Sequence, residues 1–153
     1  MSDSARSSGG ERPFVGSPVT RTAARTLTPF VLAYGVYLSL FGTGLPGGAF
    51  QGGIVVGAAF VLVGLAFGFD PMRRWIHPGA FAACFLLGIG TFGAVGMGGF
   101  FLGGAVLDVL VYPVDVEWIV KLVEVAIAVV IAVIVTGLAI WLSAGVGDGG
   151  ERE

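Results

Sequence analysis

Residues 28–68 read TPFVLAYGVYLSLFGTGLPGGAFQGGIVVGAAFVLVGLAFG, without one Asp, Glu, Lys or Arg. Two apolar runs enclose Gly42–Gly53, where Pro46 and a concentration of glycine gather. In hydrocarbon each backbone polar group must find its partner within the segment, so each run reads as a membrane-spanning helix. The first, residues 27–43, opens on Thr28-Pro29, a hydroxyl cap followed by a proline that forfeits no hydrogen bond in a first helical turn. It falls short of the ~20 residues that cross a ~30 Å hydrocarbon core. The second, residues 53–69, carries two GxxxG pairs, Gly53/Gly57 and Gly64/Gly68, spaced to lie on one face and touch another helix closely. Between the runs, Pro46, Gly47, Gly48, Ala49, Phe50, Gln51, Gly52 and Gly53 read as a turn or partly re-entrant segment whose backbone approaches other chains. Gln51 would offer donors and acceptors at membrane depth. A tight extracytoplasmic turn with no role in transport is the plainer reading of the same string.

Working outward, Asp70–Pro78 is the one dense polar break in mid-chain, with Trp75 placed as an interfacial anchor. A third span is expected at 80–101, glycine-rich from Gly88 and open to a bend near its far end. A short apolar piece, 105–112, precedes Pro113, and a fourth span is expected at 116–142. Counting 105–112 as a fifth crossing would send the C-terminus to the other side. Residues 1–26 are polar, Ser/Gly/Arg-rich and without a signal-peptide core, and read as a flexible tail, as do 144–153. The fold class is therefore an all-α integral membrane protein whose membrane domain, 27–143, has four spans with a glycine-rich turn between the first two. Arg21, Arg25, Arg73 and Arg74 flank the membrane, whereas residues 43–51 and 103–115 hold no Lys or Arg. By the positive-inside rule both termini are cytoplasmic, in a multi-pass protein of the plasma membrane.

Of 153 residues, 56% are hydrophobic and 12% charged, and the mean hydropathy is +0.94. Soluble domains average ~25% charged residues, which excludes a water-soluble globule. Eight basic against ten acidic residues leave no basic stripe to follow a nucleic-acid backbone. The one cysteine, Cys84, allows neither an intrachain disulfide nor a thiolate metal site. His77 sits beside Pro78 with no catalytic partner near it. GxGxxG-like strings in 88–104 follow no strand, so a dinucleotide site is rejected on context. No enzyme activity, cofactor or metal is expected.

The charges of the fourth span are more informative. Glu117, Lys121 and Glu124 stand at i, i+4 and i+7, on one helix face. Glu124 lies ~9 Å past Trp118 at the helical rise per residue, and only apolar residues follow it until Thr136. An ionisable group at that depth turns toward a partner or water. Two readings stand: Glu124, tuned by Lys121, borders an ion or proton route, or the pair is structural and orients the helix while Lys121 reaches outward. Asp108, near Asp115 and Glu117, reads as part of an acidic outer rim.

The string from Thr28 to Gly68 resembles the B subunit of the multisubunit Mrp (Mnh) Na+/H+ antiporter, whose hallmark is a G-H-x-x-P-G-G-G-F-Q-G-G type sequence between its first two helices. Pro46, Gly47, Gly48, Phe50, Gln51, Gly52 and Gly53 match it. Thr43 stands where the family often has histidine, and Ala49 replaces the third glycine of the run. The resemblance extends over roughly 25–142, mostly as patterning outside the glycine string, and includes a long last helix with an acidic residue near its start, Glu124. It implies an accessory membrane subunit of a large complex that exchanges cytoplasmic Na+ for external H+. Its partners would be the other subunits, the bilayer and, at the level of the complex, the transported Na+ and H+. In such assemblies large antiporter-like subunits carry most proton channels, so a small B subunit is implied to be a required neighbour. An equivalent subunit of a membrane-bound hydrogenase or related complex I-like assembly is the alternative. A self-contained homo-oligomeric channel or carrier is a second, for which the fourth span has few polar positions.

Overall fold

The computed structural model describes residues 17–149 apart from 43, 45 and 46. Five α-helices follow one another: α1 Pro18–Phe41, α2 Ala49–Phe67, α3 Phe69–Trp75, α4 Pro78–Phe101 and α5 Val116–Gly149, with a 3-10 turn at Val109–Val111 before the last. No strand occurs among the described residues.

Several boundaries differ from those expected, each for a local reason. The first helix starts at Pro18, well inside the expected 1–26 tail, because Ser17-Pro18 offers the same hydroxyl-then-proline signal as Thr28-Pro29. Ser17 Oγ accepts from the Thr20 N–H at 3.3 Å. Pro29 then falls inside α1, and Thr28 Oγ1 donates back to the Ala24 carbonyl at 2.6 Å. At the glycine string, Ala49–Gly53 forms the first turn of α2 rather than a loop, and the Gly52 N–H already donates to Gly48 O at 2.9 Å. The polar break 70–78 contains the short α3, set off by Gly68 with φ +95°, a backbone conformation that suits glycine. Helix α4 runs unbroken through its glycines, and α5 continues to Gly149 into the expected C-terminal tail. Residues 1–16 and 150–153 lie outside the described residues.

Residues 102–115 hold no helix long enough to cross a membrane; they fold back on the end of α4. Leu107 N–H donates to Gly96 O at 3.0 Å, Gly104 N–H to Gly99 O at 3.0 Å, and Tyr112 Oη–H to Val95 O at 2.6 Å. Gly98 and Gly99 leave the room: a Cβ on Gly99 would stand 2.9 Å from the carbonyls of Ala105 and Asp108.

Helix α5 is the centre of the bundle. It packs against α2 and α4, and α1 packs chiefly on α2, while α2 and α4 do not touch. Glycine facing pairs give the directions. Gly35 lies against Val56 and Gly52, so α1 and α2 are antiparallel; Gly53 meets Ala128 and Gly57 meets Val135 and Ala132, so α2 and α5 are parallel; Gly88 meets Val130 and Gly137 meets Phe81, so α4 and α5 are antiparallel. The four long helices thus alternate in direction along the chain.

What is buried identifies the solvent. The core is dominated by small residues, among them Ala24, Ala49, Ala59, Ala66, Ala126, Ala128 and Ala132, with Leu38, Met72, Val95 and Ile119 beside them, and among the described residues no large side chain is fully enclosed. Phe30, Leu86, Leu87, Phe101, Leu138 and Leu142 point outward instead. In water that arrangement would expose far more apolar surface than a soluble monomer carries; in lipid, small residues let helix backbones approach while large apolar side chains meet the acyl chains. Helices α2, α4 and Val116–Gly145 of α5 are long and apolar enough to cross a membrane. By that measure α1 is not among them, since Arg21 and Arg25 occupy its early turns and its apolar part begins at Leu27.

Candidate functional site

The glycine string builds a three-helix contact. Gly52 is buried toward α1, where a Cβ would collide with Ser39 Oγ and stand 2.8 Å from the Gly35 carbonyl and the Ser39 nitrogen. Ser39 is itself buried and donates through Oγ to Gly35 O at 2.9 Å, so its hydroxyl is satisfied within α1 while it presses on α2. Gly53, the next residue, faces α5, with the Ala128 carbonyl 2.5 Å from where a Cβ would be. One turn on, Gly57 faces Val135 of the same helix. Gly48, before the helix, lies so close to Gly42 that a Cβ on the latter would be 2.5 Å from the Gly48 Cα, and Gly47 abuts Leu38. Pro46 and Thr43 lie outside the described residues. Phe50 and Gln51 are exposed, and Gln51 Oε1 lies 3.1 Å from where a Cβ on Gly48 would stand.

Gly64 and Gly68 do not extend the helix–helix face expected of the second GxxxG pair. Gly64 is pressed by the ring of Phe69 from α3, and Gly68 turns the chain between α2 and α3.

The charged face of α5 resolves differently from the pairing expected of Lys121 and Glu124. Lys121 Nζ donates to Glu117 Oε1 at 2.6 Å and lies 5.4 Å from the centre of the Trp118 ring. Glu124 is left out of that pair. It is half-buried, and its Oε2 is enclosed without a hydrogen-bond partner among the described residues. The parallel register of Gly53 with Ala128 and Gly57 with Ala132 puts Ala49, four residues before Gly53, level with Glu124. That level holds the amino end of α2, whose N-cap, Gly48, supplies no side-chain hydrogen bond. The unpaired N–H groups there give the helix its positive pole, a favourable setting for a carboxylate. Asp108 is half-buried and occupied locally, accepting from the Leu110 N–H at 3.2 Å.

Sequence reasoning passed over Ser39, Ala128 and Tyr112. Ser39 and Ala128 carried a signal, since small residues opposite a glycine pair are what a close helix seam requires; Tyr112 carried none. Among the described residues no group of three or more His, Cys, Asp or Glu could hold a metal ion, and His77 and Cys84 are exposed singly. Between α2 and α4, across α5, lies an open apolar groove of about 550 Å³ lined by Val56, Phe60, Phe81, Cys84, Val129 and Thr136.

Apolar helices and a core of small residues, with large apolar side chains turned outward, define a membrane protein. A family model described as "Domain related to MnhB subunit of Na+/H+ antiporter" matches residues 19–144. The chain belongs to that family, which makes it an antiporter-type subunit of a multisubunit complex. The match covers α1, α2, α3 and α4 and nearly all of α5. No curated protein matches the chain.

Proposed function

We propose that the chain is an accessory subunit of a Na+/H+ antiporter complex of the plasma membrane, crossing it four times through α1, α2, α4 and α5 with both ends cytoplasmic. It supports assembly through its outward apolar faces, and Glu124 borders the ion route of the complex. The enclosed, unpartnered Glu124 Oε2 carries the second part of this reading. A carboxylate level with a helix amino end and left out of the Lys121–Glu117 pair is placed to face a cation or a polar group from outside the chain. The alternating directions of the four long helices support the even number of crossings. Arg21 and Arg25 at the start of α1 and Arg73 and Arg74 in α3 lie toward one end, with Arg25 5.2 Å from the ring of Phe67 at the close of α2, which supports that end as the cytoplasmic one.

The groove between α2 and α4 supports the subunit role. Four helices leave α5 uncovered along it, a surface that another subunit's helix would complete. The experiment is Na+-dependent ΔpH across inverted vesicles carrying the whole complex, native against Glu124→Gln, with assembly followed on a native gel. Loss of exchange by ~10-fold or more in an assembled complex is the expected result. Unchanged exchange would make Glu124 an orienting charge and the subunit a scaffold.

A further inference from the structure

A second cleft, of about 510 Å³, lies where α3, the start of α4 and the end of α5 meet, lined by Arg73, Ile76, Phe81, Phe85, Val133 and Gly137 among others. Every lining residue except Arg73 is apolar. Arg73 is fixed at its edge, because Nη2 donates to the Ile140 carbonyl of α5 at 3.2 Å. A guanidinium has five N–H donors in a rigid fork, so holding one leaves the rest for an oxyanion. Among the described residues the ion pair of Lys121 with Glu117, at the opposite end of α5, is the only one, so no described carboxylate lies within ion-pair distance of Arg73; the nearest in sequence is Asp70, at the start of α3. Trp75, two residues away, is 92% exposed, and Trp141, next to Ile140, is 72% exposed. Exposed tryptophans of this kind stand at the headgroup level of a bilayer.

A pinned cation above an otherwise apolar slot, at the depth where headgroups lie, has the polarity of one ligand class: an anionic amphiphile. We infer that this cleft binds an anionic phospholipid, its phosphate on Arg73 and one acyl chain against Phe81, Phe85 and Val133. The inference rests on the membrane placement proposed above. The opposite end of the bundle, with Asp108, Asp115 and Glu117, repels such a headgroup, which confines the lipid to the leaflet on the arginine side. The lipid seals α4 to α5 where the two helices have no glycine seam beyond Gly137.

The test uses the full chain carrying Trp118→Phe, so that fluorescence comes from Trp75 and Trp141, reconstituted into phosphatidylcholine vesicles. Brominated phosphatidylglycerol or brominated phosphatidylcholine is then added in steps. Quenching by phosphatidylglycerol should be half-complete at a mole fraction about fivefold lower than with phosphatidylcholine. Arg73→Gln should merge the two curves, and so should Ala82→Phe, which fills the cleft without touching its charge. Arg74→Gln should leave the preference in place. The site is overturned if the preference survives Arg73→Gln or Ala82→Phe, or if Arg74→Gln removes it equally, since that is diffuse surface attraction. Its loss in soluble phosphate, at ionic strength matched with chloride, would make the ligand a free anion and overturn the lipid. Equal quenching by both lipids overturns the site alone, whereas no quenching by either overturns the membrane placement and the site with it.

Discussion

Glycine is concentrated in two regions, 42–57 and 88–104, and the bundle uses it differently in each. In the first, Gly52 and Gly53 bring three helix backbones together, one turned to α1 and the other to α5. In the second, Gly88 alone makes such a contact, against Val130 and the Ala126 carbonyl, while Gly96, Gly98 and Gly99 receive the returning loop, and Gly90 and Gly93 have nothing within 4 Å of a Cβ position. What a glycine does is set by what stands opposite it, so equal compositions give a helix seam, a cradle for a loop and a bare face.

The seam is where a side chain should do most harm. A Cβ at Gly52 meets Ser39 Oγ and backbone atoms of Gly35 and Ser39, and backbone in mid-helix cannot swing aside as a flexible side chain does. Gly52→Val should therefore separate α1 from α2 at a cost of about 3 kcal/mol or more. The measurement is the thermal unfolding midpoint of the full chain in detergent, with recovery of the complex on a native gel as the second readout. A midpoint unchanged from the native protein would mean that α1 does not lie on α2 at this register.

The cradle should fail more gently and elsewhere. Gly99→Ala places a methyl 2.9 Å from the carbonyls of Ala105 and Asp108, which belong to a loop and not to a helix. The loop should lift for about 1–2 kcal/mol, without disturbing α2 or its contact with α5. Amide exchange reads the difference directly: Leu107 N–H, bonded to Gly96 O at 3.0 Å, should exchange faster while the amides of α2 keep their protection. Equal loss of protection in both places would show that the two glycine regions are one cooperative unit.

The three apolar runs of α2, α4 and α5 were legible because hydropathy over about 20 residues is a cumulative signal that one residue cannot undo. Boundaries were not, because two equally good signals competed at the first helix, Ser17-Pro18 and Thr28-Pro29, and the earlier one won once Thr22 and Thr28 could turn their hydroxyls back to helix carbonyls at 3.0 and 2.6 Å. The glycine string misled in the same way. Gly52 and Gly53 look like a turn in sequence, yet helix contact through bare backbone is what stabilises them as α2. At the charged face the signal lies in the spacing: Glu four residues before Lys is the favoured helical pair, so Lys121 goes back to Glu117 and leaves Glu124 alone. That Tyr112 would reach Val95 was not legible at all, since it depends on the path of a loop.

The bare face gives the smallest effect and the sharpest division between bundle and complex. Gly93 is exposed on α4 with nothing within 4 Å of its Cβ position, so within this chain Gly93→Ala removes only the conformational freedom of glycine. That change should raise the stability of the isolated chain by about 0.5–1 kcal/mol, a small upward shift in its unfolding midpoint. Glycine on an uncovered helix face has one further use in a membrane, the close approach of a helix from outside the chain. The same variant should then be followed into the complex. An isolated chain made more stable, joined to a complex that assembles less, would put another subunit's backbone on α4 at Gly93. A gain in both would leave Gly93 facing lipid and shift the search for the subunit contact to the groove between α2 and α4.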